Sequence, residues 1–233
     1  MFMGCIGLTS LDLSNVGIYT KKCINLDRFL NGCTNIKSVN LSGWDVSKVT
    51  NIYYMFGNCS NLTSLDLSKW DVSNVTNMSW VFAGCRNLVD ISGIGNWNAG
   101  KATTMYAMFN NCSSLTSLDL SSWVVDNVTS MYSMFTGCSS LVELDLTRWD
   151  TSSLTTMSDM FNGCSSLTSL DLSSWVVDNV TSMYSMFTGC SSLVELDLTR
   201  WDTSSLTTMS DMFNGCSSLT SLDLSSWVVD NVT

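Results

Sequence analysis

The stretch from Met108 to Ser133, MFNNCSSLTSLDLSSWVVDNVTSMYS, decides the architecture, because most of this 233-residue chain consists of variants of it. Eight cysteines, those at 33, 59, 85, 112, 138, 164, 190 and 216, mark a constant period that is broken once, by an extra residue between the third and the fourth. Cutting before the hydrophobic pair ahead of each Cys gives nine units, which begin at Met1, Phe29, Met55, Val81, Met108, Met134, Met160, Met186 and Met212. The chain is therefore a sequence of repeats.

A fixed period in the twenties built on L-x-x-L-x-L predicts a leucine-rich-repeat solenoid, in which each unit adds one short parallel strand. Within the quoted unit, alternation places the leucines inward and Ser117, Asp119 and Ser121 outward on a parallel β-sheet that forms one face. The later apolar residues, among them Met131 and Phe135, have a spacing that suits a short helical or 3-10 return. We therefore expect short helical or 3-10 turns on the opposite face.

We interpret residues 1–233 as a single solenoid of nine repeats, each of about 26 residues. Residues 1–28 form an atypical first repeat, and residues 81–107 carry a one-residue insertion with three glycines, which we interpret as a bulge after the strand. Residues 112–181 are identical to residues 164–233, which indicates recent duplication or deliberate construction. The last repeat keeps the full consensus. Three explanations fit: an excerpt of a longer protein, an end that stacks on another copy, or an engineered chain.

Composition disfavours several classes of function. With 10 basic and 20 acidic residues the net charge is -10, so no basic patch is available for nucleic acid or for an anionic membrane surface. No apolar run reaches the ~20 residues that a membrane-spanning helix requires. The first residues do not have the pattern of a signal peptide, so any export signal was removed or lies outside this stretch. The chain has no His, no phosphate-binding glycine loop and no zinc spacing. We expect no enzyme, no cofactor and no metal.

Two columns of like residues are expected to form the core. One Cys per repeat gives parallel side chains, which do not satisfy disulfide geometry, so we expect buried free thiols. Cys23 lies outside this column; it either pairs with Cys5 or Cys33 or is free, and we expect it to be free. The strict register of the tryptophans predicts core packing, with Trp80 as the exposed exception. The structural ladder is represented by Cys112, Trp123, Cys138, Trp149, Cys164 and Trp175.

Acidic residues recur on the predicted strand face, and we take this stripe as the candidate binding surface. Its members are Asp66, Asp119, Glu143, Asp145, Asp171, Glu195, Asp197 and Asp223. Neighbouring strands lie ~4.8 Å apart, so adjacent carboxylates repel one another unless something relieves them. Flanking Ser and Thr hydroxyls, water and salt screening are the explanation that we favour. The alternative is a row of weak Ca²⁺ sites or sites for a basic partner.

The stretch from residue 56 to residue 78, FGNCSNLTSLDLSKWDVSNVTNM, resembles the BspA-like leucine-rich-repeat surface proteins and the related repeats of mycoplasma lipoproteins. The resemblance covers the whole chain and departs from the pattern in the first and fourth repeats. It implies a non-enzymatic extracellular or cell-surface protein of bacteria or protists. Such a protein acts in adhesion to protein ligands on host, matrix or neighbouring cells. The alternative is a structural subunit that associates end to end into an extracellular filament.

Overall fold

Six short strands form parallel pairs in the computed structural model, which describes residues 1–16 and 20–233. The strands are β1 (Ser10–Asp12), β2 (Ser38–Asn40), β3 (Ser64–Asp66), β4 (Asp90–Ser92), β5 (Ser117–Leu118) and β6 (Glu143–Leu144). The pairs are β1 with β2, β3 with β4, and β5 with β6, and all are parallel. Their register joins equivalent residues of successive repeats, for example Leu65 with Ile91. The predicted parallel pairing of short strands is confirmed.

A second parallel ladder joins the return sides of successive repeats. It runs through the residue directly before Met131 and through the equivalent residue of the other repeats. Isolated bridges join Asn25 to Asn51, Asn51 to Asn77, Asn77 to Thr104, Thr104 to Ser130, Ser130 to Thr156, Thr156 to Ser182, and Ser182 to Thr208. This side was expected to be helical or 3-10, and that prediction is wrong. The 3-10 helices among the described residues are Ser14–Val16 and Ile94–Asn96, and both follow strands.

The backbone hydrogen bonds explain why the return side is not helical. Alternate amides reach forward to the next repeat: the N–H of Ser133 donates to the carbonyl of Ser158 at 2.9 Å. The intervening amides close turns, as when the N–H of Thr136 donates to the carbonyl of Ser133 at 3.2 Å. Ser133 has φ 55° and Gly137 has φ 72°, which is the left-handed region that a right-handed helix excludes. The backbone N–H of every second residue on the return side is thus available to bond a carbonyl of the next repeat.

The fourth repeat accommodates its extra residue directly after β4. Up to the end of this strand the usual period holds, since Asp66 pairs with Ser92. Beyond it the spacing has grown by one, because the ring of Trp70 stacks on that of Trp97. Between the two points lies the 3-10 helix Ile94–Asn96, preceded by Gly93 at φ 84°, where a Cβ would collide with the backbone of Ser68. The expected bulge is therefore wrong, and the insertion forms one 3-10 turn.

Stacked columns fill the interior between the two ladders. Phe135 is fully buried, and its ring centroid lies 5.7 Å from the centroids of both Phe109 and Phe161. Trp149 stacks on Trp175 at 6.2 Å. In the first repeat Val16 replaces the Trp, and the divergent stretch after it includes residues 17–19, which lie outside the described residues.

Candidate functional site

The acidic stripe lies exposed where each strand ends, and its Asp column shapes the backbone. The Oδ1 atom of Asp119 accepts hydrogen bonds from the backbone N–H of Ser121 at 3.1 Å and from its hydroxyl at 2.7 Å. The same pair of bonds joins Asp145 to Thr147, at 3.0 Å and 2.7 Å. Such a side-chain bond to the amide two residues later is an Asx turn. The column therefore turns the chain out of the strand.

In the second repeat Asn40 holds the position of this Asp, and it has the same geometry without the charge. The Oδ1 atom of Asn40 accepts the N–H of Ser42 at 3.1 Å. In the fourth repeat Ser92 holds this position and instead donates its hydroxyl to Asp90 at 2.7 Å. The Asx turn thus forms at Asn40 without a negative charge.

Hydrogen bonds also explain how neighbouring carboxylates tolerate one another. The hydroxyl and the amide of Ser173 lower the pKa of Asp171, although the charges of Asp197 and Asp145 act in the opposite direction. The pKa of Asp197 is lowered by Thr199 in the same way, with a smaller contribution from Arg200. Bonds to the charged form outweigh repulsion between repeats at these exposed positions. The structure thus provides the hydroxyl partners that the sequence suggested.

Two shallow depressions on the strand face bring most of the predicted binding residues together. The larger, about 520 Å³, is lined by Ser169, Leu170, Asp171, Ser173, Glu195, Leu196, Asp197 and Ser221. The second, about 310 Å³, shares Asp171 and is lined by Glu143, Leu144, Asp145, Thr147, Ser169 and Leu170. Asp119 lines a separate depression beside β4, together with Asp90. Asp66 and Asp223 are exposed towards either end of the stripe.

In residues 1–16 and 20–233, no three side chains of the His, Cys, Asp or Glu type form a group that could hold a metal ion. Over the same residues, no helix has the length and apolar character needed to cross a bilayer.

The cysteine column lies inside the fold and makes its own hydrogen bonds. Each thiol donates to the carbonyl oxygen of a residue about one repeat earlier, as from Cys138 to Phe109 at 3.1 Å and from Cys164 to Phe135 at 3.2 Å. Burial raises the pKa of Cys138 to about 12. Thiols that remain protonated are poor nucleophiles. In the described part of the chain all ten cysteines are free, including Cys23.

Most indole N–H groups of the tryptophan column are also bonded to the backbone, whereas those of Trp70 and Trp97 are buried without a hydrogen-bond partner. The indole N–H of Trp149 donates to the carbonyl of Leu120 at 3.2 Å, and that of Trp175 donates to Leu146 at 3.2 Å. Trp123 makes the equivalent bond to Ile94 at 2.9 Å. These rings support the core and are not available to a ligand.

Half-buried aromatic rings on the return side form a strip that sequence reasoning largely missed. It consists of Tyr53, Tyr54, Trp80, Tyr106 and Tyr132, and we call it the aromatic strip. The ring centroids of Tyr54 and Trp80 lie 5.2 Å apart, those of Trp80 and Tyr106 5.2 Å, and those of Tyr106 and Tyr132 4.7 Å. The sequence indicated only Trp80. The available signal was that a tyrosine directly follows the Thr-Met or Ser-Met pair of the return side in several repeats, as at Tyr106 and Tyr132.

The chain belongs to the family described as Mycoplasma protein of unknown function, DUF285, whose model matches residues 1–93, 24–144, 60–169 and 140–233. No curated protein is significantly similar to it in sequence. Among solved structures it is similar to a leucine-rich repeat protein from Eubacterium ventriosum, with TM-score 0.55 and 17% identity. That match covers 96% of this chain, which spans only 56% of the Eubacterium protein.

A leucine-rich cell-surface protein from Faecalibacterium prausnitzii also matches, at 14% identity and TM-score 0.34, with 94% of this chain and 84% of that one covered. At 17% identity the Eubacterium match concerns the fold alone. The Eubacterium structure supports the leucine-rich-repeat fold that the period predicted.

Proposed function

We propose that this chain is a non-enzymatic solenoid of nine repeats that binds partner proteins through its strand face. The supporting observation is the row of exposed carboxylates of Glu143, Asp145, Asp171, Glu195 and Asp197, which line two adjoining depressions. Each Asp uses Oδ1 to turn the backbone, and this requirement is met equally by Asn. The negative charge is therefore in excess of what the fold needs, and it fits a basic surface on the partner.

As part of the same proposal, this binding acts in adhesion at the cell surface or outside the cell, which is what the BspA-like resemblance implies. The partners would be proteins of a host, of the matrix or of neighbouring cells. The whole protein's partners are part of this proposal, since the chain spans about half of the Eubacterium relative.

A triple variant that neutralises the stripe tests this proposal. Asp145→Asn, Asp171→Asn and Asp197→Asn keep an oxygen for each turn and remove three charges. Against immobilised extracellular-matrix proteins, we expect association of the triple variant to slow by roughly tenfold at low salt, because charge steers encounter. The matched control neutralises Asp126, Asp178 and Asp230, which are exposed at another position of the same consensus. The proposal fails if no matrix protein binds the wild type, or if both triple variants lose binding equally.

The alternative function is that of a structural subunit that associates end to end into an extracellular filament, through a head-to-tail contact that propagates without closing. Sedimentation velocity over a hundredfold concentration range tests this. Growth of the species with concentration supports a filament subunit, and a constant monomer contradicts it.

A further inference from the structure

Two tyrosines of neighbouring repeats, Tyr106 and Tyr132, are the most closely stacked rings of the aromatic strip. Their centroids lie 4.7 Å apart and their planes differ by 14°. Trp80 lies farther from Tyr106, at 5.2 Å, with the planes tilted by 34°. The rings of Tyr53 and Tyr54, which are neighbours in the chain, lie 5.5 Å apart and are tilted by 59°. Tyr106 and Tyr132 are therefore the pair of phenols that lies closest to face-to-face contact.

The backbone of the return side holds this pair in register. The bridge between Thr104 and Ser130 lies two residues before each tyrosine. The N–H of Ala107, directly after Tyr106, donates to the carbonyl of Tyr132 at 2.8 Å. The two residues thus occupy the same position of successive repeats, and residues paired in this way lie about 4.8 Å apart along the ladder. Equivalent atoms of the two rings therefore face one another.

The hydroxyl groups of the two rings lie at the same edge of the stack. Burial and then the negative charge of Asp159 raise the pKa of both Tyr106 and Tyr132. Tyr106 adds a smaller contribution in the same direction to the pKa of Tyr132. Both phenols are therefore protonated at neutral pH and lie near one carboxylate, whose charge favours removal of an electron from the rings. Both side chains are only half-buried, so a small oxidant reaches them from solvent.

We propose that Tyr106 and Tyr132 form a site of oxidative crosslinking, at which a peroxidase and hydrogen peroxide join repeats 4 and 5 through dityrosine. Each phenol loses one electron and one proton, which leaves two phenoxyl radicals. A carbon–carbon bond then forms between the ring carbons beside the two hydroxyls. The C–H bonds at these carbons break, and their protons return to the phenolic oxygens through solvent. Hydrogen peroxide takes up the two electrons and the two released protons and becomes two molecules of water.

This crosslink is a covalent tie that the cysteines do not provide, since all ten are free in the described part of the chain. It joins equivalent positions of two repeats and so closes a loop of one repeat in the unfolded chain. A covalent link of this kind stabilises the folded state mainly by restricting the unfolded one. We therefore expect the crosslinked protein to unfold at a higher urea concentration than the untreated protein.

The test treats the full chain with a plant peroxidase and hydrogen peroxide, at a protein concentration low enough to suppress coupling between molecules. Dityrosine fluorescence measures the yield, and mass spectrometry of proteolytic peptides locates the link. We expect one dominant link, between Tyr106 and Tyr132, with the loss of two hydrogen atoms from a species that stays monomeric. Tyr106→Phe and Tyr132→Phe should each abolish this link. Both variants keep the ring and therefore the stack, so the loss is not one of folding.

A matched control comes from the same chain. Tyr184 has the repeat position of Tyr132, but its neighbours in that column are Ser158 and Ser210. Tyr184→Phe should therefore leave the yield of the link unchanged. Oxidation in concentrated urea should distribute the links over the other tyrosines, because the stack is then lost.

The proposal is overturned if the folded chain forms no link between Tyr106 and Tyr132. It is equally overturned if links that involve Tyr184, or a link between Tyr53 and Tyr54, reach the same yield in the folded chain. A yield of the Tyr106–Tyr132 link that is no higher in the folded chain than in urea would also contradict it.

Discussion

The strand side and the return side of each repeat are joined to the next repeat by different patterns of backbone hydrogen bonds. On the strand side the hydrogen-bonded strands are two or three residues long, and an acidic Asx turn ends them. On the return side, bridges connect Asn25 through to Thr208 without interruption among the described repeats, and turns alternate with inter-repeat bonds. The backbone pairing between repeats is therefore more regular on the return side, which has no extended strands. The strand side is free to vary its surface.

The largest effect is expected in the core beneath the return side. Phe135→Ala removes a fully buried ring held between Phe109 and Phe161, and we expect a loss of about 3–5 kcal/mol in the free energy of unfolding. Leu144→Ala, on strand β6 with 8% of its surface exposed, should cost about 2 kcal/mol. Urea denaturation measures both. An equal or reversed cost would contradict the difference between the two sides.

A smaller effect separates two left-handed positions of one return segment. Gly189 has φ 74°, and a Cβ there would make only ordinary contacts, so Gly189→Ala should cost about 1–2 kcal/mol through conformation alone. Ser185 has φ 51°, so Ser185→Gly should instead stabilise the chain by about 0.5 kcal/mol. Thermal melting distinguishes the opposite signs. A shift of the same sign for both variants would show that the turns do not impose these angles.

The smallest effect concerns acid stability on the strand side. Hydrogen bonds from Thr147, Ser173 and Thr199 lower the folded-state pKa of the three carboxylates. Their stabilisation is therefore fully present above about pH 4, near the unfolded pKa, and is lost as the pH falls through the lowered folded pKa. The triple Asn variant of Asp145, Asp171 and Asp197 lacks these titrating groups. Its melting temperature should fall less than that of the wild type between pH 5 and pH 2; an identical fall would exclude the Asx carboxylates as a source of acid sensitivity.

Sequence periodicity predicted what depends on like residues in columns. The pairing of Leu65 with Ile91 follows directly from the period, because equivalent residues meet when repeats lie in register. The return side was mispredicted because spacings between apolar residues suit a 3-10 helix and a row of turns equally. What separates them is the left-handed φ at a position held by residues as different as Tyr54, Ser133 and Asp159, so no residue preference reveals it.

The two candidate sites also differ in whether the repeat period reveals them. The acidic stripe was visible because its members recur at one position of the repeat. The aromatic strip was not, since Tyr53 and Tyr54 occupy different columns and the strip exists only where neighbouring repeats place rings side by side. The insertion in the fourth repeat gave a detectable signal in its glycines, but its form depended on contact between Gly93 and Ser68.

The central claim is that successive repeats lie in register, so that each core residue is covered by its neighbours. Native-state thiol labelling, read residue by residue by mass spectrometry, tests this most directly. We predict that Cys5 and Cys23, which are partly exposed, react rapidly at pH 8, while Cys112, Cys138 and Cys164 react only as fast as the protein unfolds. Labelling of Cys138 at the rate of Cys23 in the folded protein would contradict the account.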